Sequence, residues 1–225
     1  MGPARGAIAV TRDATVFVLL DNGGGNVNLY RHALGWDTGT PAPGASTAWA
    51  DTLRLAGDTT LDALWGASAT LAYGHYDAGW SSQGWGLGLT SHRPVIARTI
   101  TGAVQAAYWR QDSVDWSFLW TEDDTVTEQV FLDDGTVSWA EALHDLAVGP
   151  PDTANPNGRP HLVVLRESTP GGSIRWLTRD GVSTWTEQTI ANAANTGAEW
   201  CATLPSALGE TCDADYHELI PLGVV

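Results

Sequence analysis

The chain has 225 residues, 43% hydrophobic and 16% charged, with a formal charge of −15. That length holds one large all-β domain or two small ones. Its 26 acidic residues stand against 11 arginines and no lysine, which excludes a partner recognised through clustered cations on phosphates, and no run approaches the ~18 apolar residues of a membrane helix.

Apolar residues alternate with a period of two along most of the chain, which predicts strands. In chain order they fall into sets of four. The first set is 7–10, 15–20, 27–32 and 38–42, and the second is 51–56, 59–65, 69–76 and 82–90. The third is 94–100, 103–110, 115–121 and 125–132, and the fourth is 142–148, 160–166, 173–178 and 183–190. A fifth opens at 200–205 and 216–222. Residues 140–148 and 186–194 also read as one or two helical turns.

Each set repeats one layout: strand, tight Gly/Asp/Asn turn, strand, tryptophan. Twelve tryptophans, roughly four times ordinary usage, match a fold that buries indoles again and again. Four antiparallel strands recurring every few dozen residues predict β-propeller blades, because one four-stranded sheet cannot cover both of its own faces. The expected blades are 7–48, 49–92, 93–137, 138–192 and a partial 195–225. This gives one all-β propeller domain of about five blades with the last incomplete, or a fragment of a larger ring; a two-sheet β-sandwich is the alternative. Phe17, Tyr73, Trp109, Val163 and Ile220 are the expected core positions on second strands. The insertions at 149–158 and around Cys201 and Cys212 occupy equivalent places in successive sets, so both are expected on one face. An incomplete last blade leaves an open edge for self-association.

The stretch from Asn157 through His161 to Leu165, then Gly171 to Gly181 and Trp185, resembles the repeats of bacterial β-propellers related to sialidases and lectins. Thr178-Arg-Asp-Gly-Val-Ser-Thr-Trp185 is similar to the sialidase Asp-box, with its glycine one place early, at Gly181 rather than Val182. In that family the box stabilises a turn away from the active site. The resemblance therefore implies fold, not catalysis.

No catalytic set is expected. Arg31, Arg54, Arg98, Arg110, Arg166 and Arg175 show no pattern that would bring three together for sialidase chemistry. A paired-carboxylate glycosidase could draw on Asp62, Asp112, Asp115, Glu141, Asp145 or Glu218. The histidines lack metal-ligand spacing, and His161 and His217 fall at equivalent places as structural hydrogen-bonders. No cofactor is expected, although the acidic turns at 21–26 and 122–124 offer oxygens suited to calcium. Cys201 and Cys212 suit a local disulfide, which implies an oxidising compartment. The N-terminal residues lack the apolar core of a signal peptide.

The segment from His75 to Trp85 carries the ligand-binding expectation. Trp80 and Trp85, with Tyr76, His75 and Gln83, read as a platform on which a sugar ring stacks while neighbours bond its hydroxyls; packing between blades is the competing use of the two indoles. The expected function is a non-catalytic binding propeller, extracellular or at the cell surface, for glycans or another surface ligand. A glycoside hydrolase and a protein-interaction ring are the alternatives.

Overall fold

The computed structural model describes residues 6–21, 26–45, 50–67, 70–88, 94–112, 115–133, 142–167 and 172–192. The strands of blade 1 are β1 (Gly6–Val10), β2 (Val16–Asp21), β3 (Val27–His32) and β4 (Thr40–Pro41). Blade 2 has β5 (Ala50–Leu55), β6 (Leu61–Ala67), β7 (Thr70–Tyr76) and β8 (Trp80–Gly88). Blade 3 has β9 (Val95–Arg98), β10 (Val104–Asp112), β11 (Asp115–Glu122) and β12 (Val126–Asp133). Blade 4 has β13 (Ala142–Val148), β14 (Pro160–Glu167), β15 (Gly172–Gly181) and β16 (Thr184–Asn192). Each blade is a separate antiparallel sheet whose strands lie in sequence order.

No helix occurs among the described residues. The stretches with a helical reading, 140–148 and 186–194, contribute β13 and β16, because their two-residue alternation pairs them with β14 and β15. The first strands of successive blades are neighbours, β1 beside β5, β5 beside β9 and β9 beside β13. Four sheets arranged radially around their first strands make a β-propeller, not a two-sheet sandwich. Arg54 on β5 forms an ion pair with Asp145 on β13, tying the inner strands of blades 2 and 4 together. The fifth set, with Cys201, Cys212, His217, Glu218 and Ile220, lies outside the described residues.

Adjacent blades bury their facing sides against one another. Phe17, Leu19, Val27 and Leu29 of blade 1 meet Leu61, Ala63, Trp65 and Ala72 of blade 2. The opposite side of blade 2, with Leu64, Leu71, Tyr73 and Trp85, meets Ile96, Val104, Ala106 and Tyr108 of blade 3. Val95, Ala107 and Phe118 then meet Leu146, Leu162, Val164 and Leu177 of blade 4. Burying one such side chain stabilises by about 1.5–3 kcal/mol, so the core consists of three junctions among the described residues.

Of the expected core positions, Phe17 is buried on β2. Tyr73 is buried too, but on the third strand of its blade. Val163 is only half-buried, because its strand neighbours Leu162 and Val164 face blade 3 and turn it to the other side. The Trp109 side chain lies outside the described set. The insertion at 149–158 does not stand free: Asn155 donates to the Arg179 carbonyl (3.0 Å), Asn157 to Glu122 (2.8 Å), and Gln105 to the Gly158 carbonyl (2.9 Å). The loop straps blade 4 to blade 3.

Candidate functional site

Two charged clusters close the edges of blade junctions, and they differ in how far they open to water. Between blades 3 and 4, Glu128 on β12 receives Arg179 on β15 through Nε (2.9 Å) and Nη2 (2.6 Å). Both side chains are under a tenth exposed, at 8% for Arg179 and 6% for Glu128. The guanidinium lies 5.0 Å over the Trp120 ring and also donates to Asn155 and the Ala154 carbonyl. The Ser183 amide and the Trp185 indole complete the carboxylate's partners. Burial works against ionisation of Glu128, but Arg179 outweighs it and holds the carboxyl below its ordinary value. With four of its five guanidinium N–H groups bonded internally, Arg179 makes this cluster a clamp. The stretch similar to an Asp-box lies here, as the β15–β16 hairpin.

The second cluster lies between blades 2 and 3. Asp62 on β6 is 1% exposed at its side chain and accepts from Arg98 on β9 through Nε (2.7 Å) and Nη2 (2.7 Å). The Tyr73 hydroxyl donates to the same carboxylate (2.8 Å), and His75 Nδ1 lies 2.9 Å from it. Asp62 and His75 are cross-strand partners on β6 and β7, so both side chains emerge on one face. Burial raises the Asp62 pKa, but hydrogen bonds from Arg98, His75 and Tyr73 overcome it and hold the carboxyl below the usual range. Burial, reinforced by Asp62, pushes the Tyr73 phenol up. In contrast to the first cluster, His75 is 29% and Arg98 23% exposed at the side chain. Imidazole Nε2 has no hydrogen-bond partner among the described residues. Ser81 and Gln83, exposed on β8, pair with His75 and Tyr73 and share their face.

The five sequence-derived binding residues divide between two places. His75, Gln83 and Trp85 belong to the blade 2–3 edge; Tyr76 and Trp80 face blade 1. Trp80 and Trp85 are five apart on one strand, and an odd spacing sends side chains to opposite faces. They form no common platform. Trp85 is 1% exposed and stacks on Tyr73 at 5.1 Å and 19°. Trp80 is half-buried and meets Trp65 and Tyr76 edge-on at 5.1 and 5.2 Å.

Asp62 appeared in the sequence only as one of several carboxylates, and Arg98 as one of several arginines. Their signal is a charge inside an apolar strand. Asp62 interrupts Leu61–Ala67 and Arg98 ends Val95–Arg98, and a charge buried among apolar side chains demands a partner. In the acidic turns, Asp123 and Asp124 adopt left-handed backbone (φ 50° and 57°), and Asp123 accepts from the Val104 amide (2.7 Å). His161 stacks on Trp176 at 5.5 Å and 8°, and burial followed by Arg159 lowers its pKa.

No protein-family model matches the chain, and no curated protein sequence does. Solved structures of low identity share the fold. An arginine-to-alanine triple mutant of AofleA from Arthrobotrys oligospora is 13% identical, with a TM-score of 0.51 over 85% of this chain and 58% of that one. Aleuria aurantia lectin in complex with Fucα1-6GlcNAc is 11% identical, with a TM-score of 0.51 over 85% and 63%. The same lectin with α-methyl-L-fucoside is 10% identical, with a TM-score of 0.50 over 84% and 61%. The chain spans about three fifths of the length of these structures.

Proposed function

We propose that this chain is a non-catalytic, carbohydrate-binding propeller acting outside the cell, with its ligand seated at the edge between blades 2 and 3. The observation that carries this reading is the half-open cluster there: Arg98 and His75 reach solvent while a buried carboxylate fixes their positions. Imidazole Nε2, the Gln83 amide and the Ser81 hydroxyl offer donors and acceptors on a rigid Tyr73–Trp85 floor, which suits a polyhydroxylated ligand. A lectin of similar fold, solved with fucosides, supports the same class of ligand.

Asp62 does not suit the acid role of a glycoside hydrolase. A glycosidase acid needs a carboxyl with a raised pKa, whereas Asp62 is held ionised by three side chains. Glycan-array screening followed by titration calorimetry tests the proposal. Gln83→Ala and His75→Ala each remove one ligand hydrogen bond, worth about 0.5–1.5 kcal/mol or about 2- to 12-fold in Kd. Gln83→Ala, at an exposed site, leaves the melting temperature unchanged. Silence across neutral and acidic glycans would refute carbohydrate binding, and turnover of chromogenic glycosides would refute the non-catalytic assignment.

A further inference from the structure

The carboxylate of Asp62 is filled by donors from three strands. Arg98 Nε donates to Oδ2 (2.7 Å), while Arg98 Nη2 (2.7 Å), the Tyr73 hydroxyl (2.8 Å) and His75 Nδ1 (2.9 Å) converge on Oδ1. Those four bonds use the lone-pair sites that a carboxylate offers, and at 1% exposure the group is closed to solvent.

Counting protons assigns the hydrogen in each bond. Arg98 Nη2 has two: one goes to Asp62 and the other to the Tyr73 hydroxyl (2.7 Å), which gives its own to Asp62. Nη2 therefore has none left for His75 Nδ1, although the two nitrogens lie 3.3 Å apart. Burial raises the Asp62 pKa, but the bonds from Arg98, His75 and Tyr73 outweigh it, so the carboxylate is ionised and has no proton to give. Nδ1 is consequently the donor in its own bond. A neutral imidazole protonated on Nδ1 presents a bare lone pair at Nε2, the nitrogen without a partner among the described residues, on a side chain 29% exposed.

The edge carries no net charge while that ring is neutral. The titratable and charged groups facing it are Asp62 from β6, Tyr73 from β7 and Arg98 from β9. Arg98 and Asp62 cancel, burial keeps the Tyr73 phenol protonated, and β8 offers the uncharged Ser81 and Gln83 on the same face. Four of the five Arg98 N–H groups are already spent on Asp62, Tyr73 and the Gly102 carbonyl.

We propose that His75 sets the specificity of this edge: Nε2 accepts a proton from a ligand hydroxyl, so a neutral sugar is bound in preference to one that brings a carboxylate or sulfate to that point. The assignment rests on the carbohydrate-binding reading of the edge. An anionic oxygen facing Nε2 sets lone pair against lone pair with no proton between them. Protonation of the ring reverses the sense: Nε2 becomes a donor, the edge gains one positive charge, and acidic sugars become ligands.

Two measurements on the full chain test this. Long-range proton–nitrogen correlation spectra of the ligand-free protein, followed through a pH titration, read which ring nitrogen of His75 is protonated. The Nδ1-protonated form is expected wherever the ring is neutral; a neutral ring protonated on Nε2 overturns the proposal whatever the chain binds, as does a ring that stays neutral until the chain unfolds. An array of neutral, sialylated and sulfated glycans is then probed at one pH where the spectra show a neutral ring and one where they show a protonated ring. The wild-type chain is expected to select neutral glycans at the first and to gain roughly 10- to 100-fold on acidic ones at the second, the range of a charge-assisted hydrogen bond. His75→Asn, whose amide replaces the Nδ1 donor without titrating, loses that gain. A gain that survives in His75→Asn, or acidic glycans bound while the ring is neutral, refutes the assignment and leaves carbohydrate binding standing. Silence of the whole array at both pH values removes the binding reading itself, and this assignment with it.

Discussion

Gly74→Ala tests the packing of the blade 1–2 junction most directly. A Cβ at Gly74 would lie 2.1 and 2.4 Å from ring carbons of Trp65 and 2.9 Å from Trp80. Those distances are far inside carbon–carbon contact, and Trp65 is only 1% exposed, so the ring has no free space to enter. Moving it breaks the Trp65 Nε1 bond to the Pro43 carbonyl (3.2 Å) and the edge-on contact with Trp80 at 5.1 Å. Overpacking of this kind costs about 1–3 kcal/mol and occasionally more. Replacing glycine recovers about 0.4–1 kcal/mol by restricting the unfolded chain. The net loss is therefore about 1.3 kcal/mol at mid-range and at most about 2.6, and the mid-range value lowers the melting temperature by roughly 3–5 °C at this chain length. Gly84→Ala is the internal control: Gly84 lies on the same face of the neighbouring strand with nothing within 4 Å of its Cβ position. Differential scanning calorimetry compares the two. Equal midpoints for Gly74→Ala and wild type would refute the packing argument.

Two further predictions concern the charged groups. Glu128→Ala leaves Arg179 buried without its partner and should cost about 3–5 kcal/mol, whereas the double variant Glu128→Met, Arg179→Leu should lie much closer to wild type; denaturant unfolding of both, with the double variant as unstable as the single, would sink the clamp reading. His161, whose pKa is lowered in the fold, contributes stability that is present above the ordinary imidazole value and lost as pH falls below it. Asp62 and Glu128, also lowered, contribute stability that is present above the ordinary carboxylate range and lost on further acidification through their folded values. Arg159 and Asp180 both act on His161, and acid also relieves the repulsion of the −15 charge, so the readout is the wild-type melting temperature minus that of His161→Gln. The difference should fall between neutral pH and about pH 5, the window below an unperturbed histidine; a difference independent of pH would refute it.

The strand pattern was legible to within about three residues at each strand end. Expected strands at 27–32 and 142–148 match β3 and β13 exactly at both ends, and the sixteen described strands fall into the four expected sets. That success has a local cause, since alternation and turn chemistry lie within a few residues of each other. Which face a residue takes was less legible. Val163 and Trp85 follow from register, and a shift of one residue exchanges inside for outside. The charged partners were not legible at all. Asp62 meets Arg98 across 36 residues, Glu128 meets Arg179 across 51, and Arg54 meets Asp145 across 91. Those pairings exist only once blades are stacked, and periodicity in one strand carries no information about its neighbour.

The two charged edges show how differently a repeat array can cover one kind of ion pair. Both place a carboxylate and a bidentate arginine across a blade junction, above an apolar cluster. At the blade 3–4 edge, the insertion at 149–158 supplies Asn155 and the Ala154 carbonyl to two further guanidinium donors. The hairpin at Val182 and Ser183 covers the carboxylate. At the blade 2–3 edge the connection between β9 and β10 is a short turn, and Arg98 reaches only the Gly102 carbonyl from it. Arg98 and His75 consequently remain at the surface. The two pairings use different strands, β12 with β15 and β6 with β9, and the ten-residue insertion covers the first while the second keeps its arginine and histidine partly exposed.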